Sequence, residues 1–78
     1  MKIKLIKVTW EDSRNPAAGW RFLKGLETPG ICLCVTVGYL VKKTKKKLVL
    51  AQSLTRDNQV NGLTTIPRRC VIESVDLV

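Results

Sequence analysis

Residues 31–43 read ICLCVTVGYLVKK, the longest run in the chain with β-branched and aromatic side chains at regular alternation, which is a strand signature. Leu33, Val35, Val37, Tyr39 and Val41 fall on one face, and Cys32, Cys34, Thr36, Gly38, Leu40 and Lys42 on the other. Both faces carry apolar groups, so such a strand expects cover on both sides, and contacts between subunits are one source of it. A glycine inside a strand marks a bend or a close backbone approach, so Gly38 reads as the point where this strand curves through a small barrel.

The rest of the chain supplies partners for that strand. KIKLIKVTW, residues 2–10, interleaves Ile3, Leu5, Val8 and Trp10 with Lys2, Lys4 and Lys7 and predicts a first strand ending near Asp12. Ser13-Arg14-Asn15-Pro16 has turn chemistry, with Pro16 biasing Asn15 away from the helical region. Residues 15–30 then read as a long connection that carries a short helical turn over 16–24, stopped by Gly25. Trp20, Phe22 and Leu23 are expected to anchor it to the core, in preference to serving as a stacking platform for bases.

KLVLAQSL, residues 47–54, reads as the next strand, which makes Lys43-Thr44-Lys45-Lys46 the tip of a hairpin. TRDNQVN, residues 55–61, is loop-like, and Asn61-Gly62 is a strong turn dipeptide leading into a short strand over 63–66. Pro67 ends that strand, and Pro67-Arg68-Arg69 turns into a last strand over 70–77, with Val71, Val75 and Leu77 on one face and Ile72 on the other.

Five strands, one long connection and two tight basic turns predict an all-β fold: a small, strongly bent antiparallel sheet on the SH3-like barrel plan, in which closure hides most strand edges. The 78 residues form a single domain. A chain this short buries only roughly 60% of the surface its unfolded form exposes, so it needs a supplement such as self-association. No apolar run is long enough to span a bilayer and MKIKLIK lacks the continuous apolar centre of a signal peptide, so no membrane partner is expected. Three cysteines without export signals point to free thiols in a reducing cytoplasm.

The net charge of +8, with fourteen basic and six acidic residues, favours a polyanionic partner, because Lys and Arg that neutralise phosphates release condensed counterions. Arg68 and Arg69 are the leading binding candidates, since a turn holds them and guanidinium groups grip phosphate bidentately or stack on bases. Their bland reading is an exposed turn or a salt bridge to a neighbouring subunit. Lys43, Lys45 and Lys46 add a diffuse cationic tip, which is also what any solvated hairpin would show. Cys32-x-Cys34, with Cys70, falls short of the four ligands of a closed zinc site, and no histidine completes it; small buried hydrophobes are the simpler reading. With no histidine, no glycine-rich phosphate loop and no serine elbow, neither catalysis nor a cofactor is expected.

The stretch from Val37 to Val75 resembles the Sm-like family, which includes the bacterial RNA chaperone Hfq. The resemblance rests on the glycine-bent strand V-G-Y-L-V, the charged hairpin, the L-V-L strand, and I-P-R-R-C-V-I turning through basic residues. Nearly the whole chain also resembles small phage and prophage proteins. It shares Trp10, Asp12 and Ser13; Gly19 and Trp20; Val37 to Val41; Leu50 to Ser53; and Ile66 to Val71 with their pattern, and one cyanophage-like member of that group is similar to Sm proteins.

The resemblance implies a homo-oligomeric ring of roughly five to seven subunits joined through open strand edges, in the cytoplasm of a bacterial host. It implies single-stranded RNA as a candidate ligand, held at Lys43 to Lys46 and Pro67 to Arg69. The chain departs from the family in lacking an asparagine after the hairpin, an Arg-Gly pair after Ile66 and a Lys-His pair, so the ring is better supported than base recognition. The alternative is an interaction or scaffold module that docks a host or phage protein, since SH3-like barrels serve both roles.

Overall fold

The computed structural model describes residues 3–15 and 18–77. Lys2 and Pro16, placed above at the first strand and in the turn after it, lie outside the described residues, as does residue 17 of the expected helical turn. Five strands form one antiparallel sheet: β1 Leu5–Asp12, β2 Cys32–Lys43, β3 Lys47–Leu54, β4 Val60–Pro67 and β5 Val71–Asp76, in the order β4-β3-β2-β1-β5. A 3₁₀ turn, Arg68–Cys70, joins the last two strands. Among the described residues no helix is long and apolar enough to cross a membrane.

The order explains the bend. β4 and β5 stand at opposite edges, and in a flat sheet of five strands those edges lie about 19 Å apart. Yet only the three residues of the 3₁₀ turn separate Pro67 from Val71, a span of at most about 14 Å. The sheet therefore curls until its two edge strands meet at this corner. The concave side holds Ile6 and Val8 of β1, Leu48 and Leu50 of β3 and Ile66 of β4 as one buried cluster, with Trp10, Leu40 and Val71 packed against it. The curl stops short of a closed ladder: β4 and β5 are not paired to each other, and both edges stay open.

Gly38 sits where β2 bends. A side-chain carbon at this position would stand 2.9 Å from the carbonyl oxygen of Ala51 and 3.1 Å from Cβ of Leu50, so glycine is what lets β2 lie this close over β3. Near the next residues the β2–β3 register shifts between Leu40 and Lys42. The side of β2 turned inward carries Cys32, Cys34, Thr36, Gly38 and Leu40, while the more apolar set Leu33, Val35 and Val37 faces out, at 63%, 62% and 50% exposure.

Several sequence expectations are corrected. In β1 the buried side chains are Ile6 and Val8, and Ile3 and Leu5 are only half-buried on the other face. Among the described residues 18–30 there is no helix, only a turn in which Leu26 N–H donates to the Leu23 carbonyl at 3.2 Å. Trp20, Phe22 and Leu23 are not anchors: each is 88% exposed or more. Asn61-Gly62 is not the turn before β4 but part of that strand, with Gly62 at φ +70 against the Gln52 side chain. The turn lies earlier, where Asn58 takes φ 65 and Thr55 exchanges bonds with Gln59, its N–H donating to the Gln59 carbonyl and its hydroxyl accepting from the Gln59 N–H. Val71 and Val75 do not share a face, because the β1–β5 register shifts between Thr9 and Trp10; Val71 turns toward the core and Val75 pairs with Lys7 on the outside.

Candidate nucleic-acid interface

The hairpin after β2 is organised by Thr44. Its N–H donates to the Lys47 carbonyl at 2.9 Å, and its hydroxyl accepts from the backbone N–H groups of Lys46 and Lys47 at 3.2 and 3.1 Å. A side-chain oxygen that satisfies two turn donors fixes the backbone of a loop whose lysines would otherwise repel one another.

The β3–β4 ladder pairs Lys47 with Pro67, which sets the hairpin beside the 3₁₀ turn. Two further bonds fasten them: the Arg68 N–H donates to the Lys46 carbonyl at 2.8 Å, and Arg68 Nη1 donates to the Thr44 carbonyl at 3.1 Å. The basic turns, 24 residues apart in the chain, are thus one structural unit. All five candidate residues lie on it and all are exposed: Lys43 at the end of β2, Lys45 and Lys46 in the hairpin, Arg68 and Arg69 in the 3₁₀ turn.

Two hollows open on this corner. One is lined by Lys45, Lys46, Pro67 and Arg69. The other, of about 270 Å³, runs under Lys43 and Arg68 toward Lys4, Ser74 and Asp76. In the second hollow Lys4 Nζ lies 3.2 Å from a carboxylate oxygen of Asp76, both side chains mostly exposed. That pair leaves a local excess of cations, and an exposed pair of this kind adds little to stability. No carboxylate lines the first hollow. No aromatic side chain lines either, so the groups the corner offers a ligand are ammonium and guanidinium cations, which suit phosphate contacts, with the planes of Arg68 and Arg69 as its only stacking surfaces.

Thr44 falls within the Lys43–Lys46 stretch expected to bind, but its role in ordering the hairpin, and the place of Lys4 and Asp76 beside the corner, come from the structure. Thr44 carried a weak local signal, a lone hydroxyl among lysines. Lys4 and Asp76 carried none, because only the sheet order sets β1 and β5 beside this corner.

Cys70 ends the 3₁₀ turn that carries Arg68 and Arg69, whereas the other two cysteines lie at the start of β2. Cys32 and Cys34 project to the same side of β2 with Sγ atoms 3.7 Å apart, and all three thiols are free. The Cys34 thiol titrates above its ordinary range, chiefly through desolvation and then through the bond and charge of Cys32. Among the described residues no three His, Cys, Asp or Glu side chains are grouped so as to hold a metal ion. Comparison with known proteins returns no match, whether to a family model, a curated protein or a solved structure.

Proposed function

We propose that the chain is an Sm-like protein of phage type that binds single-stranded RNA through phosphate contacts at the joined basic turns, assembled as a homo-oligomeric ring in the cytoplasm of a bacterial host. The observation that carries this reading is the Arg68–Thr44 bond at 3.1 Å. It holds Arg68 and Arg69 against the lysine hairpin, so five cations from two distant segments reach one ligand. Preset cations bind a polyanion with less ordering than flexible ones. The open β4 and β5 edges support the ring, because unpaired strand edges invite pairing with another copy, and a head-to-tail pairing whose rotation closes makes a ring. Repetition around a ring would also bring several such corners to one strand of RNA, multiplying a weak contact.

The test is a fluorescence-anisotropy titration of short labelled RNA, and matching single-stranded DNA, with the wild type and with Arg68→Glu/Arg69→Glu. The double variant is expected to lose most of the affinity; unchanged affinity would move the site elsewhere. The other reading, a module docking a host or phage protein, draws on the exposed apolar strip of β2.

A further inference from the structure

The outer face of β2, β1 and β5 has a chemical pattern set by strand register, since residues directly opposite in an antiparallel pair share a face. Leu33 lies across from Glu11, Val35 from Thr9 and then Glu73, and Val37 from Lys7 and then Val75. A stripe of exposed aliphatic side chains on β2 is thus flanked on β1 and β5 by two carboxylates, both solvent-exposed.

The connection between β1 and β2 carries the complementary pattern. Every described residue from Ala18 to Gly30 is exposed, including Trp20, Phe22 and Leu23. Arg21 stands between the two aromatics and Lys24 follows Leu23. This arm extends away from the sheet. The longest dimension of the molecule is 56 Å against 22 and 20 Å across, while the twelve residues of β2 span only about 40 Å. Large aromatic side chains left in water are unfavourable by the area they expose.

We propose that the Trp20–Lys24 arm docks on the Leu33-Val35-Val37 strip of a second copy of this chain. Trp20, Phe22 and Leu23 cover the aliphatic stripe, and Arg21 and Lys24 face Glu11 and Glu73. Trp20 and Phe22 remove about 150–250 Å² each from water. With Leu23 and the surface it covers, one arm buries about 1,000 Å² in all, and a reciprocal exchange about 2,000 Å², which reaches the range of stable complexes. The contact uses a sheet face and not an edge, so it stands whether or not the β4 and β5 edges pair and whether or not RNA is bound. It supplies the cover that a chain with so few buried side chains needs.

The test uses Trp10→Phe, which leaves Trp20 as the sole tryptophan of the two. Trp20 emission is expected to be blue-shifted and shielded from acrylamide at high protein concentration, and to become that of an exposed indole on dilution. Val35→Lys, an outward-facing change, should keep it exposed at all concentrations. Arg21→Glu/Lys24→Glu should do the same, with shielding restored by mixing with Glu11→Lys/Glu73→Lys.

Should Trp10→Phe not fold, the same contact is read by replacing Phe22 with the photo-crosslinker p-benzoylphenylalanine in a tagged chain mixed with an untagged one. Crosslinks between the two chains to the peptide holding Leu33 to Val37 are expected. Trp20 exposed at every concentration, or shielded independently of dilution because the arm covers its own strip, would overturn the proposal, as would crosslinks confined to one chain.

Discussion

Arg68 Nη1 donates to the carbonyl oxygen of Thr44 at 3.1 Å, a bond between the turn that follows β4 and the turn that follows β2. Because Thr44 also orders the hairpin through its hydroxyl and its N–H, one threonine and one arginine fasten a cationic corner whose two turns the Lys47–Pro67 pairing brings together. Arg68 has a structural part in addition to the phosphate contact proposed for it, whereas Arg69 projects from the same turn without a bond to the hairpin. Arg68→Ala is expected to lower stability by about 0.5–1 kcal/mol, the net value of one exposed hydrogen bond. Arg69→Ala should leave stability unchanged. Urea denaturation of the two variants separates them; equal losses would mean that the Arg68–Thr44 bond contributes nothing.

Gly38→Ala is expected to destabilise the fold by about 1–3 kcal/mol, because the added methyl meets a backbone oxygen at 2.9 Å that cannot swing aside. Gly30→Ala is the control: nothing lies within 4 Å of its added carbon, and the change should be neutral or slightly stabilising. Thermal melts of both variants check the pair. A neutral Gly38→Ala would mean that β2 and β3 do not approach this closely.

Leu50→Ala removes one of the largest fully buried side chains and is expected to cost about 3–5 kcal/mol. A domain of this length has a total stability of only about 4–12 kcal/mol, so a loss of this size should lower the thermal midpoint, read by circular dichroism, by about 12 °C or more. Leu33→Ala, on the outer face at 63% exposure, should shift the stability of the dilute protein by less than about 0.5 kcal/mol. A reversed order would place the core on the other side of the sheet.

The contrast between Leu50 and Leu33 also marks how far the sequence alone could be read. Strand positions and the lysine hairpin were legible because alternation and turn chemistry are local. The inward face of β2 was not, since both of its faces are apolar and the choice is made by the strands on either side. The shift between Thr9 and Trp10 that separates Val71 from Val75 arises from the pairing of two strands far apart in sequence. Asn61-Gly62 has the composition of a turn, yet Asn58 takes the positive φ at the turn and Gly62 accommodates its own within β4. Trp20 and Phe22 looked like core by residue type, but the path of the chain leads them away from it. For the candidate site, each basic turn was legible by itself; their meeting depends on the pairing of Lys47 with Pro67, a tertiary fact.

Cys34 should react slowly with iodoacetamide at about pH 8, because the thiolate is the nucleophile and desolvation keeps this thiol protonated. The sign for stability follows: the folded state retains a proton that the unfolded chain gives up. The Cys34 contribution is therefore full below the thiol's unfolded pKa and is lost as pH rises above it. Tandem mass spectrometry of the wild type, folded and in urea, localises the alkylation to Cys34 and reads the effect. Alkylation of folded Cys34 as fast as in urea would contradict it.

The most direct test of the joined basic corner is the salt dependence of RNA binding by the wild type and by Lys45→Glu/Arg69→Glu, which spares the Arg68–Thr44 bond. If all five cations contact phosphates, log K should fall with log salt at a slope of about −3.5 for each corner that engages the RNA, with binding still measurable at about 0.15 M salt. The variant should bind more weakly across the series, with a slope nearer −2 per engaged corner as an order-of-magnitude expectation. Equal affinity and equal slope in both proteins would contradict the account and remove RNA from the Thr44–Arg68 corner.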